Sequence, residues 1–305
     1  MSKINKLTQA IIVGDAARVE SIIENAFFKK YLINKIDSNG YTPLTVSLIY
    51  EEHKIMEYLV KNGADVNKPD AHKLTPLAIS IIKNRYYIFN KLIHDMGADF
   101  YKKVNKKTLI NIAIQSNSLK IFNDLLNLGF SLTNDDLLTA IKYGDDSDPA
   151  IINIFLENLD KYKLNLNYEN EDYFTPIKFA ILFNKLNILK ILIDSGKTTV
   201  EDSDSWFSQT PLEMALSENN LEAVKILISS KISKFKSIYP FKKCIFNGNL
   251  EMFKYLLDEG LDPNLDLSKF KADRIEESSF LEIAVKAKKP KMINLIIEYQ
   301  NKKKV

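Results

Sequence analysis

One cysteine, Cys244, and one tryptophan, Trp206, stand in 305 residues, beside only nine glycines, nine prolines and three histidines. A lone thiol cannot close an internal disulfide, and no Asn-x-Ser/Thr acceptor occurs, so nothing marks a chain matured in an oxidising secretory compartment. No stretch approaches the roughly 18 apolar residues of a membrane span, and the apolar residues Ala10 to Val13 are too few for a cleaved leader. Charge of one sign is also lacking: 42 basic and 39 acidic residues leave +3, too little for a surface that coats a polyanion. These absences lead to the expectation of a cytoplasmic protein with no nucleic-acid partner and no membrane partner. Delivery into a host cell by a route without a cleaved signal peptide is the alternative.

What the chain does have is enough apolar side chain to fold, 46%, against 27% charged. It also has a repeat. Thr42-Pro43-Leu44 returns as Thr75-Pro76-Leu77, as Thr108-Leu109 without the proline, as Thr175-Pro176-Ile177 and as Thr210-Pro211-Leu212, and the first two steps are 33 residues each. With each threonine at place zero, a small residue recurs at place five: Ser47, Ser80, Ala113, Ala180 and Ala215. Weaker copies in the same register start at Asn5, Asp135, Tyr239 and Ser279 and put Ala10, Ala140, Cys244 and Ala284 there. A polar pair follows at places nine and ten, then a second apolar segment of helical spacing, then a glycine at place 21 or 22: Gly63, Gly97, Gly129, Gly196 and Gly260. Each unit therefore predicts a short helix opened by proline, a tight turn, a longer helix, a glycine stop and an extended connector. Such short helices persist only by burying a stripe on their neighbours, and the small residue at place five lets the first helices approach.

This pattern resembles the ankyrin repeat family, with its period of 33 and its Thr-Pro-Leu-His-x-Ala signature; Asn62-Gly63-Ala64-Asp65-Val66-Asn67 is similar to the end of the family's repeat. The resemblance implies an all-α solenoid of about nine helix-turn-helix units with extended connector loops. It would form a single domain over 1–305, with degenerate capping units at about 1–36 and 265–305. The match departs from the family at place three, where Thr45, Ala78, Lys178 or Glu213 replaces the histidine that helps tie the connector to the inner helix. Packing is therefore expected to hold these repeats more than polar networks do. Uneven spacing places insertions at Asp145 to Pro149, Asn165 to Asp172 and Asp262 to Ser278.

Chemistry is hard to find. Ser195-Gly196-Lys197-Thr198 has the tail of a phosphate loop, but Ile191 stands where that loop needs glycine. Cys244 falls at the small, buried place and has no histidine near it in sequence. His53, His72 and His94 lack zinc spacing. Asp262, Asn264 and Asp266 alternate like the start of a calcium loop, with Asp273 at its twelfth place, but Leu267 replaces the turn glycine. Asp145, Asp146 and Asp148 suit a solvated loop better than a clamp for a basic partner. No catalytic residue, metal or cofactor is expected, and the protein is read as no enzyme. An enzyme with a reactive site in an irregular insertion, or a nucleic-acid-binding module using Lys102, Lys103, Lys106 and Lys107, are the competing functions.

The family resemblance implies instead a binding module that grips another protein on a concave face; a scaffold, adaptor or inhibitor is expected, with a microbial effector acting on a host protein as one form of it, and a monomer is expected. Its variable contact places, carried onto this chain, are Tyr41, Ile49, Tyr50, His72, Leu74, Ile82, Asn105, Lys107 and Gln115, then Lys142, Tyr143, Phe174, Leu182, Phe183, Trp206, Phe207, Gln209 and Phe246. The set is unusually apolar for water-facing positions. Partner anchors, or rings tucked against neighbouring connectors, are the two ways to account for it. Trp206, beside Phe174 and Phe183 one unit earlier, is expected to build an aromatic pocket.

Overall fold

The computed structural model describes residues 2–198, 209–231, 237–270 and 276–303. Their contacts group into two compact units, Met1–Leu132 and Thr133–Val305, where the sequence suggests one domain over 1–305. In the first unit, helix α1 (Lys3–Ile12) pairs with α2 (Ala16–Glu24), followed by a short α3 (Lys29–Ile33). Then come α4 (Pro43–Ile49) with α5 (His53–Lys61), α6 (Pro76–Ile82) with α7 (Tyr86–Asn90), which continues into a π-helical turn over Lys91–Asp95, and α8 (Leu109–Gln115) with α9 (Leu119–Asn127). The first helix of each pair packs on the first helix of the next, α1 on α4, α4 on α6 and α6 on α8.

The second unit runs α10 (Asn134–Tyr143), α11 (Ala150–Glu157) and α12 (Leu159–Tyr162), then α13 (Pro176–Leu182) with α14 (Leu186–Asp194) and α15 (Pro211–Ser217) with α16 (Leu221–Ser229). Last come α17 (Tyr239–Asn247) with α18 (Leu250–Asp258) and α19 (Phe280–Lys286) with α20 (Pro290–Lys302). Inner helices again stack in order, α10 on α13, α13 on α15, α15 on α17 and α17 on α19. Among the described residues the only strand-like pairing is an isolated bridge, Val104 to Lys107. The molecule is all-α, as expected, and all nine registers hold helix pairs.

Local chemistry explains the boundaries. The hydroxyls of Thr42, Thr75, Thr108, Thr175, Thr210 and Ser279 each accept from the backbone N–H three residues on. This satisfies an orphan donor of the first turn, while proline at the first helical position gives up an N–H that had no partner to lose. Two weaker copies open earlier than the register implies: α1 is capped by Ser2 rather than Asn5, and α10 by Thr133 rather than Asp135. A better capping hydroxyl lay a few residues upstream in each.

Inner helices end alike. Place nine is left-handed in eight of the nine units: Gly14, Glu51, Asn84, Asn117, Asn184, Asn219, Gly248 and Lys288. In each, the place-ten N–H reaches back to the place-five carbonyl, as from Glu52 to Ser47 (2.9 Å) and Lys185 to Ala180 (2.8 Å). This is a Schellman closure repeated along the chain. The exception, Gly144, precedes the first insertion. The unit with its glycine one place late, Gly97, is the one whose second helix takes the wider π turn, which absorbs the extra residue.

The small residues at place five are all buried, from Ala113, Ala180, Ala215 and Ala284 at 0% exposure to Cys244 at 4%. At place six, Ile11, Leu48, Ile81, Ile114, Ile141, Ile181, Leu216 and Ile245 are equally buried, and Val285 of the last unit, 56% exposed, is the exception. Each of the buried ones contributes roughly 1.5 to 3 kcal/mol by leaving water, and together they form the seam that the short helices need.

At place three, two of the four residues that stand where the family has histidine carry polar ties to a connector. Lys178, buried at 6% exposure, donates to Glu169 Oε1 (3.0 Å) and to the Tyr173 carbonyl (3.1 Å) on its own connector. Glu213, 1% exposed, accepts from Thr210 N (2.8 Å) and from the Ser237 N–H of the following connector. A charged side chain does what imidazole does in the family's signature, because the connector offers buried backbone groups that must be satisfied.

Candidate partner-binding surface

Within the first unit, connector tips and the far ends of the inner helices lie together. Asp37 and Asp70 build the tips: each carboxylate accepts from the backbone N–H groups two and four residues on, Asn39 and Tyr41 from the first, His72 and Leu74 from the second. Successive tips are joined by a hydrogen bond from Ala71 N to Gly40 O (2.8 Å), and the Tyr41 and His72 rings meet at 5.2 Å. A bulkier residue at Gly40 would press on Ala71 Cβ and the His72 ring. The next tip is a two-residue turn through Asn105 and Lys106, both at positive φ, and Asn105 Nδ2 donates to the His72 carbonyl (3.3 Å). On this side Tyr50 is 49% and Ile82 41% exposed, His72 and Lys107 are exposed, and Tyr41, Ile49 and Leu74 are half-buried. Lys107 Nζ donates to Gln115 Oε1 (2.7 Å).

The second unit presents its own patch. Tyr143 (47%), Leu182 (36%) and Phe246 (41%) are exposed, while Phe174 and Phe183 are half-buried. Both of those rings lean on Phe179, edge-on at 5.7 and 5.2 Å. Phe179 was not singled out from sequence because its place, four, is ordinarily a core place. Lys142 Nζ sits 5.2 Å from the Phe183 and Tyr143 ring centres, and Lys242 lies over Phe246. Trp206 and Phe207, and with them the expected aromatic pocket, lie outside the described residues.

Places seven and eight are thus treated differently from places five and six on the same helices. Tyr50, Ile82, Tyr143, Leu182 and Phe246 are large, apolar and substantially exposed, and nothing in the repeat's packing requires an apolar residue there.

The reactive candidates resolve into structural roles. Gly196, φ +63°, closes α14 with its N–H on Ile193 O (3.0 Å). Cys244 is buried, its thiol pushed up to about 12 by that burial, and it lies 3.6 Å from the Asn249 carbonyl. Asp146 caps α14 across the first insertion, accepting from Asn187 N (3.1 Å) and Ile188 N (3.0 Å), which suits the positive end of a helix. Asp262 and Asp266 close separate local turns onto Asn264 and Ser268, and Asp273 is not among the described residues. No group of three or more metal-binding side chains converges among the described residues.

Stacked capped helix pairs with hydroxyl openings, left-handed place-nine closures and small buried place-five residues define a helical repeat protein. The chain belongs to the ankyrin repeat family, whose model, ankyrin repeats in three copies, matches residues 7–104 and 137–238. It is similar to an ankyrin repeat protein of fowlpox virus (strain NVSL), 31% identical over 112 residues that make up 36% of this chain and 78% of that protein. It is also similar to an ankyrin repeat protein of Acanthamoeba polyphaga mimivirus, 33% identical over 76 residues, 25% of this chain and 19% of that one. Ankyrin repeats are in general protein-interaction modules and typically non-enzymatic.

Proposed function

We propose that this chain is a cytoplasmic adaptor or inhibitor that works as a monomer and grips a partner protein with the exposed side chains at places seven and eight and the connector tips beside them. The observation that carries this reading is the contrast along single helices: Phe246 is 41% exposed while its neighbour Ile245 is 0% exposed, and Ile82 is 41% exposed beside Ile81 at 0%. Aromatic and aliphatic anchors of this kind dominate interface energetics. Both relatives are viral proteins, and the narrower form of the reading is an effector acting on a host protein.

The test is affinity capture from host-cell extract with the wild-type chain and with Tyr50→Ala, Ile82→Ala, Leu182→Ala and Phe246→Ala, read by mass spectrometry and then by titration with the purified partner. A partner whose affinity falls by about 2 kcal/mol, roughly 30-fold, in at least one variant that melts with the parent supports the reading. A partner bound equally by all four variants would remove these places from the interface.

A further inference from the structure

The four most exposed large apolar side chains among the described residues are Phe27 (93%), Tyr101 (72%), Phe28 (69%) and Tyr31 (66%). None of them belongs to the surface proposed above. All four follow the second helices of repeats in the first unit, and two loops there carry the same pattern of two aromatics and two lysines, Phe27-Phe28-Lys29-Lys30 and Phe100-Tyr101-Lys102-Lys103.

These loops share one edge of that unit. Asn34 Nδ2 donates to the Gly63 carbonyl (2.8 Å) and its Oδ1 accepts from Asp65 N (2.8 Å), and Asn67 Oδ1 accepts from Asp99 N (2.8 Å). The ladder ties the segment around α3 to the loop after α5, and that loop to the one carrying Tyr101. The rings are held outward by packing beneath them. Leu32 and Ile33 of α3 are buried at 7% and 0%, the Phe27 and Phe28 rings meet edge-on at 4.8 Å, and Tyr101 stacks on Phe130 at 5.9 Å.

We infer that this edge of the first unit docks on an anionic phospholipid surface, with Phe27, Phe28, Tyr31 and Tyr101 entering the headgroup region and the adjoining lysines meeting the phosphates. Aromatic rings beside lysines on projecting tips suit the membrane–water interface, where amphipathic rings settle and cations are attracted by the surface potential. Charge agrees: over residues 24–35, 61–68 and 95–103 seven lysines face four carboxylates. Glu24 and Lys29 pair with each other, which leaves six lysines against three carboxylates, the same excess of three. No described helix is long and apolar enough to cross a membrane, so the mode is peripheral. The sequence expectation of no membrane partner considered spanning segments only, and side chains spread over separate loops give no such signal.

The experiment is co-sedimentation of the full chain with vesicles of pure phosphatidylcholine and of phosphatidylcholine containing 30 mol% phosphatidylserine, at about 0.1 and 0.5 M salt. The expected result is partitioning onto the anionic vesicles that is at least tenfold above that onto neutral ones and falls at least fivefold at high salt. Phe27→Ser with Phe28→Ser should lower it about tenfold at low salt, and Lys102→Gln with Lys103→Gln several-fold. Tyr50→Ala, on the proposed protein-binding surface, should leave it unchanged, so the two surfaces are tested separately. Circular dichroism melts confirm that the variants fold, which their exposure favours. Absence of binding to anionic vesicles, equal binding to neutral ones, or indifference to the Phe27 and Phe28 changes would each overturn the inference.

Discussion

Lys242 Nζ donates to Glu277 Oε2 at 2.7 Å, joining α17 to the segment ahead of α19, and Lys286 Nζ stands 2.9 Å from the other carboxylate oxygen. Glu277 is 2% exposed. The hydrogen bond from Lys242, against the opposing effect of burial, holds its carboxyl at about 2.

A carboxylate depressed in the folded state stabilises it above the ordinary glutamate value of 4.5 and loses that contribution as pH falls through about 2. Acid should therefore weaken the protein across that window, with Glu277 among the groups responsible. Glu277→Gln should lower stability near neutral pH by about 2 kcal/mol and flatten part of the acid limb. Urea denaturation at pH 7 and pH 3 measures both; a variant as acid-sensitive as the parent would assign the effect to other carboxylates.

Asp146 predicts a second effect at a distance. Asp146→Ala removes the cap on α14, contributed from another repeat, and should cost about 1 kcal/mol. Thermal melting detects this, and Asp146→Asn, which keeps one of the two acceptor oxygens and sets an NH2 against the other N–H, should recover only part of the loss. Asp148→Ala, an exposed neighbour, should melt with the parent.

At place five, Ala113 and Ala180 have no exposed surface. Replacing either by leucine should overpack the seam and cost roughly 1 to 3 kcal/mol. Calorimetric melts equal to the parent's would mean that the inner helices can part more readily than their packing indicates.

Cys244 should resist alkylation by iodoacetamide at pH 8 in the native protein, since its thiol is buried and pushed up to about 12. The same reagent should label it fully in urea. Rapid native labelling, measured by mass spectrometry, would show that the α17 seam opens.

Much of the fold was legible because each repeat writes its own boundaries. Thr42-Pro43 and Thr75-Pro76 carry cap and first turn in adjacent residues, and Gly63 and Gly129 mark stops whose left-handed backbone, φ +94° at both, only glycine adopts cheaply. The π turn after α7 was visible only as a glycine one place late. The missing glycine of the fifth register was not visible, because Lys163 at φ +54° ends α12 in its stead. Of the candidate site, places seven and eight could be named by register. Whether a ring there faces water or a neighbour could not, and the structure separates Phe246, exposed, from Phe183, which leans on Phe179.

The sequence by itself determined the repeat, its register, the small residues of the seam and the family, because these are set by local capping chemistry and by a period that recurs along the chain. Tertiary structure alone decided what the long-range partners do. It set Asp146 on the end of α14, Glu213 on the Ser237 N–H of the following connector, and Phe27, Phe28, Tyr31 and Tyr101 along one edge of the first unit. Those outcomes depend on which residues, tens of positions apart, the stacking brings within a few ångströms, and no local pattern encodes that distance.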